Sequence, residues 1–286
     1  MKRILVIGGT GTVGRQVVAQ LPATGVRVRA LVRNPDTAGL PAHVDVVRGD
    51  LCVPETLDAA LGGVDTVFLV WCAPATAVAA GLERIASRVQ RIVFLSSPYK
   101  TAHPFFQGGQ PNPVATMHAE IERLIETSGR EWTFVRPGMF SANTQGWWGP
   151  RIRAGDDVIR WPYAGVATAP IDERDIAAVA VRALLDDGHA GAEYVLTGPE
   201  SITQAEQVWI IGDVIGRRLR MEDISPDEAG RELSMFPAYI VNYLLRAWGA
   251  AAGHDALVTS TVSDITGAPA RSFRKWTTDH AGLFRA

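Results

Sequence analysis

A glycine-rich segment near the start of the chain has the spacing of a phosphate-binding loop. An apolar run at 3–8 precedes it, and a helical pattern at 12–21 follows it. Glycine lets the backbone turn sharply and approach a pyrophosphate, while the N-terminus of the following helix presents free N–H groups to phosphate oxygens. This strand–loop–helix context predicts a dinucleotide site; the alternative is a merely tight strand–helix turn. The residues expected to hold the dinucleotide are Gly8, Thr10, Gly11, Thr12, Val13 and Gly14.

The end of the second apolar run, 26–32, discriminates between dinucleotides. An NAD site usually carries an acidic residue about 20 residues after the glycines, where it binds the ribose hydroxyls. The segment 30–35 contains no acidic residue and places Arg33 at that position. A guanidinium there forms charge-assisted hydrogen bonds with a 2′-phosphate. Arg33 therefore predicts NADP(H) rather than NAD; the alternative is a solvated surface arginine in a chain that is rich in arginine.

Composition and charge limit the class of protein. The chain has 286 residues, 28 Lys and Arg against 30 Asp and Glu, and a formal net charge of −2. This balance argues against a nucleic-acid partner, which requires a basic face. Two cysteines, Cys52 and Cys72, are too few for a disulfide scaffold and fit a reducing compartment. Because no apolar run is long enough for a signal peptide or a membrane span, we expect a cytoplasmic protein without a membrane partner, either a monomer or a homodimer.

The elements that must position these residues alternate along the first half of the chain. Apolar runs at 3–8, 26–32, 43–48, 66–71, 91–95 and 132–136 predict strands, and the patterns at 12–21, 54–61, 76–88 and 113–128 predict helices. This alternation predicts an α/β fold with a Rossmann-type, doubly wound parallel sheet. We expect a cofactor-binding core at 1–136 and a small C-terminal α/β substrate lobe at 137–286, with elements near 166–196 returning to the core. In that second half, 172–186, 203–215 and 226–252 are predicted helical, with a break at Pro237.

Several further motifs together resemble one family, the NmrA-like group of atypical short-chain dehydrogenase/reductases. The resemblance implies a Rossmann sheet with a small substrate lobe. It also implies that Asp50 and Leu51 lie near the adenine and that Val70, Trp71 and Ser96 line the path toward the nicotinamide. Asp50 has an alternative explanation as a helix cap. The motifs that carry the resemblance are the glycine loop, Val32-Arg33-Asn34-Pro35, Val93-Phe94-Leu95-Ser96-Ser97, Arg136-Pro137-Gly138 and Leu196-Thr197-Gly198-Pro199-Glu200.

The chain departs from ordinary members of that superfamily at the proton donor. Those members use Tyr-x-x-x-Lys, in which the tyrosine donates a proton and the lysine lowers its pKa. The corresponding helix, beginning near Pro113, contains neither residue type, and none of the three lysines follows a tyrosine at that spacing. When Thr133 is matched to the similar strand of isoflavone-reductase-like relatives, His118 occupies the position of their functional lysine. The resemblance thus makes His118 the candidate proton donor, with a pKa suited to neutral pH; the alternative is a structural histidine.

Aromatic residues are concentrated where the substrate lobe is expected to meet the sheet. Pockets for small molecules are mostly apolar with a few polar groups, so these residues predict a flat aromatic or quinone-like substrate. Ordinary core packing is the alternative for many of them. The loop 97–112 is either a lid over the nicotinamide or a static surface loop. The residues expected to contact the substrate are Tyr99, Phe140, Trp147 and Trp161.

Three functions fit these observations. The first is an NADPH-dependent oxidoreductase that reduces an aromatic, quinone-like or polyketide-type carbonyl or conjugated acceptor. The second is a non-catalytic NADP-binding sensor or regulator, which the missing Tyr-x-x-x-Lys pair favours. The third is a redox-neutral isomerase, cyclase or dehydratase on the same fold. The aromatic segment and the C-terminal lobe favour the enzyme.

Overall fold

A seven-stranded parallel sheet organises the chain. The computed structural model describes residues 2–108, 112–233 and 236–285. The strand order is β3-β2-β1-β4-β5-β6-β9, which reverses direction between β1 and β4. The strands are β1 Arg3–Ile7, β2 Arg27–Val32, β3 Asp45–Arg48, β4 Thr66–Leu69, β5 Arg91–Leu95, β6 Glu131–Pro137, β7 Val158–Pro162, β8 Ala167–Thr168, β9 Ala192–Leu196, β10 Ile202–Thr203 and β11 Arg220–Ile224.

Helices cover both faces of this sheet. The helices of the first half are α1 Thr12–Gln20, α2 Asp58–Leu61, α3 Val78–Ala86, α4 Pro104–Gly108 and α5 Pro113–Thr127. Those of the second half are α6 Asn143–Trp147, α7 Gly149–Ala154, α8 Glu173–Leu185, α9 Gln204–Ile215, α10 Pro226–Glu232, α11 Ala238–Ala251, α12 Thr261–Thr266 and α13 Phe273–Asp279. In these described ranges, every helix is too short or too polar to span a lipid bilayer.

Successive side chains along each strand point to opposite faces of the sheet, so each face has its own hydrophobic core. On β1, Ile4 and Val6 pack in one cluster with α1 and α8, while Leu5 and Ile7 pack in another with α3 and α5. Burial on both faces explains why the sequence shows continuous apolar runs instead of an alternating pattern. The predicted fold class, a Rossmann-type doubly wound sheet, is confirmed.

The second half of the chain divides between the sheet and a smaller lobe. Helix α8 packs on the sheet, and β9 pairs with β6 as its outermost strand. Asp172 caps α8 by accepting a hydrogen bond from the Arg174 N–H at 2.8 Å. The remaining elements form a third, tryptophan-rich core, flanked by the antiparallel pair β8–β10 and the parallel pair β7–β11.

Short helices are the main departure from the predicted elements. The loop 97–112 contains α4, and the region 137–171 contains α6 and α7 besides its short strands. Helix α4 packs directly on α11. Gly108 lies so close to Ala250 that a Cβ at position 108 would overlap the alanine side chain. Helices of five or six residues are too brief to show a 3.6-residue period. Residues 109–111 of that loop lie outside the described residues.

Candidate functional site

The glycine loop requires glycine at its two ends. Gly8 follows β1 with φ +83°, and a Cβ there would approach Val70 Cβ to 2.7 Å. The Gly11 N–H donates to the Gly8 carbonyl oxygen at 3.0 Å, which closes the turn. At Gly14 a Cβ would overlap that same carbonyl group. The loop thus lies directly against β4 and the first turn of α1, and leaves the backbone surface open.

Helix α1 begins with an uncapped N-terminus at this loop. Gly11 is the N-cap residue, no side chain accepts from the first N–H groups, and the first turn holds no acidic residue. Thr10, Gly11 and Thr12 are exposed, whereas Val13 is buried in the core and offers only its backbone. Free N–H groups at the positive end of a helix dipole bind anions. This arrangement fits a pyrophosphate.

Arg15 braces the loop from the side of the sheet. Its Nε donates to the Thr10 carbonyl oxygen at 2.9 Å, and its two Nη atoms donate to the carbonyl oxygens of Ala38 and Gly39 at 3.1 and 3.0 Å. The glycine loop and the segment after β2 are therefore held together by one side chain. Because three of its N–H groups donate to these carbonyls, Arg15 positions the loop.

A cleft of about 240 Å³ continues from the glycine loop along the ends of β2, β3 and β4. Arg33, Asp50, Leu51 and Val70 all line it. In the part of the chain that the structure describes, Arg33 is exposed and has no hydrogen bond or ion pair. The Asp50 carboxylate also stabilises the turn in which it lies, since it accepts a hydrogen bond from the Cys52 N–H at 2.9 Å. The unpartnered guanidinium leaves this cleft ready for an anionic group.

Trp71 does not line the cleft. Its side chain is only 6% exposed and packs beneath α3, where a Cβ on Gly81 would lie 2.8 Å from Trp71 Cη2. Cys72, the next residue, lines the cleft in its place. The strand ends at Leu69, and the indole ring is directed into the core beside that helix, because a large apolar ring gains more by burial than at an open rim.

A second cavity, the inner compartment, opens at the ends of β5 and β6. Its volume is about 280 Å³, and Ser96, His118, Phe140 and Trp147 line it together with Gly138 and neighbouring apolar residues. These strands lie in the half of the sheet opposite β2 and β3, so the glycine loop separates the two cavities. In doubly wound folds ligands bind outside the carboxyl ends of the strands at this reversal.

The outer compartment, of about 380 Å³, extends the inner one toward α11. Tyr99, Val114 and Tyr239 are among the residues that line only this outer part. Residues that line both compartments are Ser97, Pro98, Phe106, Asn143, Trp147, Tyr243 and Leu244. The two compartments therefore form one continuous groove between the sheet and the C-terminal lobe.

His118 lies on α5 at the inner compartment. Its Nδ1 is 2.9 Å from the Ser97 Oγ, and its ring packs edge-on against Phe94. Burial lowers the pKa of His118 to about 4, against the opposing effect of Glu122. The imidazole is therefore neutral at neutral pH, and the expectation of a pKa suited to proton donation there is wrong. A neutral imidazole still donates one hydrogen bond.

Glu122, one turn along the same helix, is a site residue that the sequence reasoning missed. Its side chain is 1% exposed and accepts hydrogen bonds from Ser96 Oγ and Tyr99 Oη, both at 2.6 Å. Arg136 adds two more, and Lys100 Nζ lies 3.4 Å from Oε2. Burial acts to raise the pKa of Glu122, but the hydrogen bonds from Arg136, Ser96 and Tyr99 hold it below its ordinary value. Its position four residues after His118 was the available signal.

This network accounts for Tyr99. The ring lines the outer compartment, but the hydroxyl donates a hydrogen bond to Glu122 Oε2. Burial and the bond to that carboxylate raise the pKa of Tyr99 above its ordinary value. Tyr99 therefore contributes a ring face to the groove, while its hydroxyl proton is committed to the core.

Four tryptophans pack together behind the groove, and Trp147 is the one that lines it. Trp147 lines both compartments, and Trp148, Trp161 and Trp248 pack around it with ring centroids 5.7 to 6.0 Å away. Trp161 is 3% exposed and its Nε1 donates to Gln204 Oε1 at 3.0 Å, so it supports Trp147 from behind. Of the two tryptophans predicted to contact the substrate, Trp147 lines the groove and Trp161 does not.

The chain is similar in sequence to known NAD(P)H-binding proteins. A sequence model described as NAD(P)H-binding matches residues 8–187. The chain is 38% identical to a (4-alkanoyl-5-oxo-2,5-dihydrofuran-3-yl)methyl phosphate reductase of Streptomyces griseus, over 98% of this chain and 99% of that protein. It is 34% identical to an NAD(P)H azoreductase of Xenophilus azovorans, over 99% of each chain.

A solved structure shares the whole fold. The crystal structure of an NADPH-dependent quinone oxidoreductase from Escherichia coli superposes with a TM-score of 0.81, covering 97% of this chain and 99% of that one at 23% identity. At this identity the likeness establishes the fold. The matched model and the two relatives show that the chain belongs to the NAD(P)H-binding, NmrA-like family of atypical short-chain dehydrogenase/reductases.

Proposed function

We propose that the protein is an NADPH-dependent reductase of an aromatic or quinone-like conjugated carbonyl compound. The observation that carries this proposal is the inner compartment, an aromatic cavity that opens on the same edge of the sheet as the glycine loop. A dinucleotide that follows the strand ends from the cleft to this cavity has its reactive end against the compartment. The reductase and azoreductase names of the two relatives support the reaction class.

The cofactor is held by residues of the loop and the cleft. Backbone groups of Gly8, Thr10, Gly11, Thr12 and Gly14 surround the pyrophosphate, and the N-terminus of α1 supplies N–H donors. Arg33 binds the 2′-phosphate, which makes NADPH the preferred form. Asp50 and Leu51 lie beside the adenosine, and Val70 and Ser96 follow the strand ends toward the nicotinamide.

The chemistry is a hydride transfer that requires little from the protein beyond orientation. Bound NADPH supplies a hydride, and a quinone that takes up this hydride and one proton becomes the hydroquinone while NADP⁺ is released. Phe140 and Trp147 hold a flat ring by stacking and exclude water. A Tyr-x-x-x-Lys pair is not essential for such an acceptor, since the second oxygen takes its proton from solvent.

His118 hydrogen-bonds the reacting oxygen in its neutral form. In this proposal the Ser97 hydroxyl donates to Nδ1, 2.9 Å away, which leaves the Nε2–H as the donor. A neutral imidazole polarises a carbonyl by a hydrogen bond, as in other enzymes where a depressed histidine pKa has this purpose. His118 is in this proposal a hydrogen-bond donor to developing negative charge, without becoming an imidazolium.

Turnover of NADPH with a panel of acceptors tests the proposal. The panel contains a naphthoquinone, an azo dye and an aromatic ketone, and the loss of NADPH absorbance is followed with each. We expect oxidation of NADPH with at least the quinone and much slower oxidation of NADH. Equal binding of NADPH and NADP⁺ with no turnover of any acceptor would instead identify a sensor.

A further inference from the structure

The outer compartment has no role in hydride transfer itself. We infer that it is a binding subsite for an uncharged, apolar substituent of the acceptor, and that it discriminates against acceptors with an anionic substituent. This inference rests on the proposed function, because the reacting ring then occupies the inner compartment.

Continuity of the groove argues for one ligand across both compartments. Trp147, Tyr243 and Leu244 line both compartments, so the two adjoin along a shared wall. A single aromatic ring fills only part of a groove of this size. A substituent on the ring that is directed away from the β5 and β6 ends therefore enters the outer compartment, between the N-terminus of α5 and α11.

The walls carry no full charge. Among the described residues that line either compartment, none is Asp, Glu, Lys or Arg. The residues at 109–111 and 234–235, outside the described ranges, are also uncharged in the sequence. Lys100, which follows Tyr99, is paired with the buried Glu122 carboxylate. Burial raises the pKa of the Tyr243 phenol, which keeps it neutral. An anion placed here would lose hydration without gaining a cationic partner among the described lining residues.

The N-terminus of α5 lines the outer compartment, and most of its first N–H groups are absent or already paired. Pro113 has no N–H, and the Val114 N–H donates to the Asn112 Oδ1 at 2.9 Å. The Thr116 N–H donates to the Asn112 carbonyl oxygen at 2.9 Å. The contrast with α1 is direct: that helix begins at Gly11 with no side-chain cap. The capped end of α5 therefore offers a phosphate or carboxylate fewer free donors than the uncapped end of α1.

A matched series of quinones tests this subsite. The series has one dimethoxy-methyl-benzoquinone ring, bare, with a decyl chain, and with a decyl chain that ends in a carboxylate. We expect the decyl chain to raise kcat/KM by about tenfold or more, because apolar surface leaves water. The terminal carboxylate should remove most of that gain. Equal kcat/KM for all three, or preference for the carboxylate, would overturn the inference while turnover of the bare ring leaves the proposed function standing.

A binding measurement keeps the two proposals separable. Quenching of tryptophan fluorescence by each quinone is titrated on the NADP⁺-loaded protein, since Trp147 lines the groove. If no quinone is reduced, the proposed function fails, and the order of the three dissociation constants still decides the subsite. Tighter binding of the decyl compound supports it, and no difference contradicts it.

A single added charge provides the structural control. Val114 is 38% exposed and lines only the outer compartment, so Val114→Lys places a cation there. We expect this variant to shift the kcat/KM ratio of carboxylate to decyl quinone by about tenfold toward the carboxylate. Val258, 43% exposed and on neither compartment, is the matched position, and Val258→Lys should leave the ratio unchanged. The same ratio in both variants would contradict the assignment.

Discussion

The carboxylate of Glu122 and the guanidinium of Arg136 meet through two parallel hydrogen bonds. Arg136 Nε lies 2.9 Å from Oε1 and Nη2 lies 2.7 Å from Oε2, and both side chains are at most 3% exposed. The same carboxylate accepts from Ser96 and Tyr99. One buried ion pair thus joins α5 to β6 and sets the position of two residues on the groove.

Glu122→Gln should destabilise the fold strongly. The variant leaves the buried Arg136 with Glu193 as its remaining acidic partner, and breaking a buried pair costs about 3–5 kcal/mol. Chemical denaturation of the two proteins measures this difference. Glu120→Gln is the matched control on the same helix, because Glu120 is 48% exposed and Arg123 is its one ionic partner among the described residues. Its loss should cost less than about 1 kcal/mol. Similar costs for both variants would show that the buried network contributes little.

Stability should depend on pH through His118. Its folded pKa, about 4, lies below the ordinary value of 6.5, so the unfolded chain binds more protons between these values. The free energy of unfolding therefore falls as pH drops through this window, by an amount on the order of 3 kcal/mol. His118→Gln should flatten that part of the stability profile. An unchanged slope between pH 6.5 and 4 in the variant would assign the effect to other groups.

His118→Ala should slow quinone reduction without abolishing it. Loss of one hydrogen bond to developing charge costs about 10- to 100-fold in kcat. Because the imidazole is neutral throughout, the rate should show no step near pH 6.5 in either protein. Stopped-flow rates across pH measure both points. A change below about threefold would remove His118 from the reaction.

Arg33→Ala should lower selectivity for NADPH. The loss of charge-assisted bonds to a 2′-phosphate weakens NADPH binding by about 10- to 100-fold, and NADH binding should stay the same. Isothermal titration with both cofactors gives the ratio. Arg27→Ala is the control at the other end of β2, where the arginine is also exposed. Retention of the NADPH preference in Arg33→Ala would refute the role of this guanidinium.

Gly14→Ala should damage the cofactor loop. The new Cβ would overlap the Gly8 carbonyl group, so either the loop or the first turn of α1 must move. We expect NADPH binding to weaken by more than tenfold and the melting temperature to fall. Gly25→Ala also alters a glycine in this half of the chain, but nothing lies within 4 Å of the added atom. Gly25 has φ +77°, so this control is expected to lower stability while NADPH affinity remains.

The cofactor end of the protein follows from local features of the sequence. The glycine loop, the strand before it and the helix after it are neighbours along the chain, so their geometry follows from local spacing and from the steric freedom of glycine. Arg33 directly follows β2, and its position on the cleft follows from the parallel order of the strands. The alternation of strands and helices likewise predicts the doubly wound sheet.

Tertiary structure alone decided the substrate end. Glu122 contacts Ser96, Tyr99 and Arg136 across 14 to 26 residues of chain, and no local pattern encodes those contacts. The sequence gives no reason to distinguish Trp147 from Trp161. In the folded chain Trp147 lines the groove, whereas Trp161 donates a hydrogen bond to Gln204 in the core. The depressed pKa of His118 follows from burial. Burial and packing depend on contacts between segments that are distant along the chain. The roles of Glu122, Trp147 and His118 therefore become visible only in the folded protein.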